Sequence, residues 1–174
     1  GLMDIGVEDF ILEAAICKVF ASENVAKNAD LLCRIGGAHG YIDGHVYDRV
    51  LRDARGHLVL AGTNEILRAF VALAGMQSPG RKVLEVDNAM REPIKGFGVL
   101  TDFAVKRARS AFGRERVSFS HPALRGETVL FEDGVNGLAR EAERVLRKHG
   151  TAIAQKQFVQ RRIAECAIDL FALA

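Results

Sequence analysis

Residues 8–32, EDFILEAAICKVFASENVAKNADLL, decide the fold class. Apolar side chains at Phe10, Ala14, Cys17, Ala21 and Val25 recur at the intervals of an amphipathic helix, and Lys18, Glu23, Lys27 and Asp30 fall mostly on other faces. The cluster Gly36-Gly37-Ala38-His39-Gly40, with Gly44 soon after, breaks that pattern and presents backbone rather than side chain. Val46 to Arg55 predicts a short charged helix ended by Gly56. Thr63 is placed to cap a further helix whose apolar face is Ile66, Leu67, Phe70, Val71 and Ala74, stopping near Gly75.

Downstream, Pro79-Gly80 and Pro93 bracket a polar stretch that reads as a long connection with about one turn of helix. Helical periodicity returns from Gly98 to Phe112, and a loop follows at His121-Pro122. Two longer helices are predicted, Leu124 to His149 and Thr151 to Ala174, with Gly150 as C-cap of one and Thr151 as N-cap of the next. The expected fold is all-α, an antiparallel helical bundle. Its expected divisions are a helical domain over 1–78, a linker and basic segment over 79–122, and a helical extension over 123–174. The opening lacks a signal-peptide pattern and the last helix has no stop signal, so a piece of a longer protein is expected.

Composition narrows the function classes. With 174 residues the chain can bury a real core, but not two full enzyme domains. A balance of 24 Lys+Arg against 22 Asp+Glu carries none of the basic excess of a nucleic-acid binder. Apolar runs read as too short and too interrupted to span a bilayer. Cys17, Cys33 and Cys166 are odd in number and lack metal-ligand spacing, so each reads as a small packed apolar residue in a reducing compartment. The five histidines form no ligand pattern, no metal is expected, and neither a G-x-S-x-G elbow nor a phosphate-binding Walker loop is present.

Two stretches could carry chemistry. Ala61-Gly62-Thr63-Asn64-Glu65-Ile66-Leu67-Arg68 places a glycine and a hydroxyl at a helix N-terminus, where free backbone N–H groups suit a carbonyl or a phosphate; an ordinary N-cap has the same spacing. The glycine cluster at 36–40 fits either plain turn chemistry or a phosphate cradle.

GTNEILR at 62–68, preceded by RVLRDAR at 49–55 and GGAHGY at 36–41, resembles the C-terminal helical domain of acyl-CoA dehydrogenases. The opening Met3 to Phe10 and the stretch Glu13 to Lys18 resemble the very-long-chain branch, as does the extra helical region beyond Gly75. The resemblance implies an FAD-dependent enzyme that oxidises long-chain acyl-CoA to trans-2-enoyl-CoA in fatty-acid β-oxidation, as a homodimer. It implies that Ala61 and Gly62 meet the substrate, that Thr63, Asn64 and Glu65 line the flavin, and that Gly36 and Gly37 approach the FAD of a neighbouring subunit. Cys33 stands where the family usually has a glutamine facing FAD.

One departure bears on turnover. The branch carries its carboxylate base in the pattern E-G-T-N, and this sequence has Ala61 there, which has no titratable group. A positioned base is typically worth about 10²- to 10⁴-fold. Some family members with A-G-T place their glutamate on an upstream helix. A non-catalytic member acting in respiratory complex I assembly is the alternative. Residues 90–116 interleave Phe97 and Phe103 with Lys106, Arg107 and Arg109, a pattern that suits an anionic membrane or a partner helix, or a helix packed on its own domain with a solvated basic side. The resemblance points to mitochondria, in the matrix or against the inner membrane, with bacterial cytoplasm as the alternative.

Overall fold

The computed structural model describes residues 4–91, 117 and 121–174. Among these, the regular structure is entirely helical: α1 (Ile11–Ile35), α2 (Val46–Val59), α3 (Asn64–Arg91), α4 (Arg125–His149) and α5 (Gln157–Leu173). Short 3-10 segments occupy Gly37–Gly40, Pro122–Leu124 and Gly150–Gln155. The helix expected over Gly98 to Phe112, with Phe97, Phe103, Lys106, Arg107 and Arg109, lies outside the described residues. By contact the chain divides into two compact units, Gly1–Val71 and Ala72–Ala174.

In the first unit α1 packs against α2. The buried apolar residues are small or β-branched: Ala15, Ile16, Val19, Ala29, Ala54 and Val71. This corrects the face read from the sequence. Ala14, Cys17 and Ala21 are exposed, and Val25 is 47% exposed. α1 carries two apolar stripes, and the one holding Ile16 and Val19, with more branched surface to bury, is the one the unit covers. Cys17 and Cys166 are accordingly exposed rather than packed, and Cys33 is half-buried. α2 also runs past Gly56 to Val59, since an isolated glycine costs a helix only about 1 kcal/mol.

The glycine-rich corner after α1 is built around close approach. A Cβ on Gly40 would lie 2.1 Å from the Cys33 carbonyl oxygen, so only glycine lets the 3-10 turn fold back on the end of α1. Beyond it, the rings of His45 and Tyr47 stack at 5.1 Å as the chain enters α2.

In the second unit α4 and α5 form an antiparallel pair. Leu170 near the end of α5 meets Gly134 early in α4. The turn between them is closed by Gly150 at φ +52 and by the buried Gln160, whose side-chain amide donates to the Ile153 carbonyl at 2.7 Å. That 3-10 turn corrects the expectation of an α-helix starting at Thr151: the helix begins at Gln157. α3 differs more. Instead of stopping near Gly75 it continues through Pro79 and Gly80 to Arg91. Buried Met76 and Val86 give the extension apolar contacts to set against a proline cost of about 3 kcal/mol.

The stretch Val46–Val86 is long and apolar enough, by length and composition alone, to cross a membrane. By that test it departs from the expectation that apolar runs are too short and too interrupted to span a bilayer. It holds two separate helices, α2 ending at Val59 and α3 starting at Asn64.

Candidate functional site

The turn between α2 and α3 is the site the sequence singles out. α2 closes with the Leu60 N–H donating to the Gly56 carbonyl at 2.9 Å, and Leu60 itself is extended. Ala61 and Gly62 then adopt successive left-handed conformations, φ +56 and φ +93. For alanine this region is strained by about 1 kcal/mol or more. Gly62 is required by that backbone angle, because a Cβ there would meet Leu67 only at an ordinary 3.5 Å. Thr63 starts α3: its Oγ1 accepts from the Ile66 N–H at 3.4 Å and its carbonyl from the Leu67 N–H at 3.0 Å. Ala61 and Gly62 are exposed, so the turn offers backbone to an incoming group.

α1 holds this turn. The Lys18 ammonium donates to the Gly62 carbonyl at 2.6 Å and to Asn64 Oδ1 at 2.7 Å. The Asn64 amide donates to Ser22 Oγ at 2.9 Å, and that hydroxyl donates to the Val19 carbonyl at 3.1 Å. Asn64 is 2% exposed and Ser22 is also buried, so these polar groups are satisfied where water does not reach. One turn further on, Arg68, its side chain 12% exposed, pairs with Glu23 of α1.

The expected site residues that are described fall into two groups. Ala61, Gly62, Thr63 and Glu65 lie together on the turn and the first turn of α3, with Glu65 exposed. Asn64 sits among them, but its side chain is committed to Ser22 and Lys18. Cys33, Gly36 and Gly37 form a second group at the end of α1. The Cys33 thiol donates to the Tyr47 carbonyl at 3.5 Å, a Cβ on Gly36 would meet the Tyr47 ring at 3.1 Å, and Gly37 faces open space at φ +57. Sequence reasoning missed Lys18, Ser22, Glu23 and Arg68. The available signal was the i, i+4 spacing of Lys18 and Ser22, which puts both on one face of α1.

Chemically, the turn presents peptide donors and a rigid backbone, while position 61 supplies no acid or base. First-turn amides of α3 add a partial positive charge at the helix end.

Residues 2–76, which include this whole site, match the family profile "Acyl-CoA dehydrogenase, C-terminal domain". The chain belongs to the acyl-CoA dehydrogenase family. Residues 122–174 match a second profile, "ACAD9/ACADV, C-terminal domain". Among curated acyl-CoA dehydrogenases, the mitochondrial very long-chain specific enzyme of Rattus norvegicus is 38% identical over 98% of this chain and 27% of its own length. The Homo sapiens protein of the same name is 37% identical over the same shares. Acryloyl-CoA reductase (NADH) of Anaerotignum propionicum is 37% identical over 41% of the chain and 18% of its own length. The chain thus spans about a quarter of the length of the very long-chain relatives it matches.

Proposed function

We propose that this chain is the C-terminal helical part of an FAD-dependent dehydrogenase that oxidises long-chain acyl-CoA to trans-2-enoyl-CoA in fatty-acid β-oxidation, with the α-proton taken by a carboxylate outside these residues. The observation that carries the reading is the exposed, left-handed Ala61-Gly62 turn, clamped from α1 and lying inside the acyl-CoA dehydrogenase match. The exposed apolar side chains of α1, Ile11 at 63% and Ile35 at 76%, support a larger fold around it.

In this reading the backbone at Ala61 and Gly62 meets the thioester carbonyl and stabilises charge as it develops on oxygen. The half-buried Thr63, the exposed Glu65 and the open Gly37 fit a flavin nucleotide, offering backbone donors at a helix N-terminus. Bound FAD would supply the acceptor for the hydride that leaves the β-carbon. Asn64 shapes that surface from behind, through Ser22 and Lys18. The working form is a homodimer in which Gly36 and Gly37 approach the neighbouring subunit's flavin, and mitochondria are its compartment. The basic segment over 90–116 takes an anionic membrane or a partner helix.

Ala61 favours one second reading, a family member that binds acyl-CoA without turning it over and serves as an interaction or assembly protein. Anaerobic titration of the full-length protein with palmitoyl-CoA, followed in the visible flavin absorbance, separates the two. Bleaching is the expected result. A flavin band that shifts without bleaching, or a protein purified without flavin, supports the second reading instead.

A further inference from the structure

We infer that Lys18 is a positioning residue for the 60–63 turn, fixing the peptide groups that face the acyl thioester; the inference rests on the functional reading above. Ala61 and Gly62 hold consecutive left-handed angles, and such conformations persist where the surroundings over-determine them. Lys18 reaches the turn from α1, 44 residues earlier, and its ammonium grips both sides of Thr63, through the Gly62 carbonyl at 2.6 Å and Asn64 Oδ1 at 2.7 Å. The anchor beneath it is rigid, because Asn64 is buried with its amide on Ser22.

The consequence for the site is directional. A Gly62 carbonyl held on Lys18 fixes the rotation of the backbone at Gly62, and with it the direction in which the Ala61 and Gly62 peptide groups assigned to the thioester face relative to α1. Lys18 therefore acts through the backbone at 61–63 and touches no reacting atom.

The test uses the full-length protein and trans-2-hexadecenoyl-CoA, which binds without needing a base. Calorimetric Kd and the ligand-induced shift of the flavin band are measured for the native protein, Lys18→Met and Lys18→Arg. Lys18→Met is expected to keep its flavin content and circular dichroism, weaken Kd about tenfold and lose most of the band shift. Lys18→Arg, which keeps a charged donor, recovers most of both. A Lys18→Met protein with native Kd and native band shift overturns the role of Lys18 and leaves the functional reading standing. A native protein that neither takes up the ligand nor shifts its flavin band overturns both. Where Lys18→Met does not fold, Lys18→Gln decides: it retains a neutral donor and is expected between methionine and native, and native values in it overturn the role.

Discussion

Gly62 and Ala61 share a left-handed backbone yet differ in what they tolerate. Gly62→Ala is expected to cost about 1–3 kcal/mol, because φ +93 is foreign to a residue with a Cβ although the added methyl would meet Leu67 only at an ordinary 3.5 Å. Ala61→Gly relieves strain and loosens the unfolded chain, so we expect stability within about 1 kcal/mol of native. Denaturant unfolding of the two variants checks the contrast; equal losses contradict the backbone explanation. Asn64→Ala leaves Ser22 and Lys18 without their buried partner, and a loss of about 1–3 kcal/mol is expected by the same measurement. That the 61–68 motif opens a helix with Thr63 as its cap was legible in its residues. Lys18 was not, because periodicity assigns a lysine to a solvated face and says nothing of a turn 44 positions away that bends back to meet it.

At the scale of the helix, α4 carries two glycines with different reasons to be there. Nothing lies within 4 Å of a Cβ on Gly137, so Gly137→Ala is expected to raise stability by up to about 1 kcal/mol through helix propensity. A Cβ on Gly134 would come within 2.5 Å of the Leu170 side chain of α5, so Gly134→Ala gains less than Gly137→Ala or nothing. Thermal midpoints of the pair test this, and an equal gain at both sites contradicts the close α4–α5 contact. Helix existence was readable because long apolar repeats are strong signals: α4 begins one residue from its expected start. The buried face of α1 was not readable, since two apolar stripes compete and tertiary contact chooses between them. The same holds for α3, where burial of Met76 and Val86 carries the helix past a proline that local propensity treats as a stop.

For the whole molecule, the all-α class was legible in helical periodicity along the chain, and the family in three short motifs spaced along the first 68 residues. The division of labour was not, because the chain spans only about a quarter of the very long-chain relatives it matches. Ala61 makes the point sharply: the position that supplies a base in the E-G-T-N pattern supplies only backbone here. Where the native base does not lie on the same side of the substrate, full-length Ala61→Glu is expected to oxidise palmitoyl-CoA at least as fast as the native protein, measured anaerobically by flavin bleaching; a markedly slower variant then counts against placing residue 61 beside the substrate α-carbon. The most direct measurement of the turn's role is the infrared difference spectrum of trans-2-hexadecenoyl-CoA, labelled with ¹³C at the thioester carbonyl, bound to the full-length protein. Backbone donors polarise the carbonyl they hold. The carbonyl stretch is predicted to move to lower frequency on binding and to return part-way in Lys18→Met. A bound ligand whose stretch stays at its solution value contradicts the claim that this turn grips the thioester.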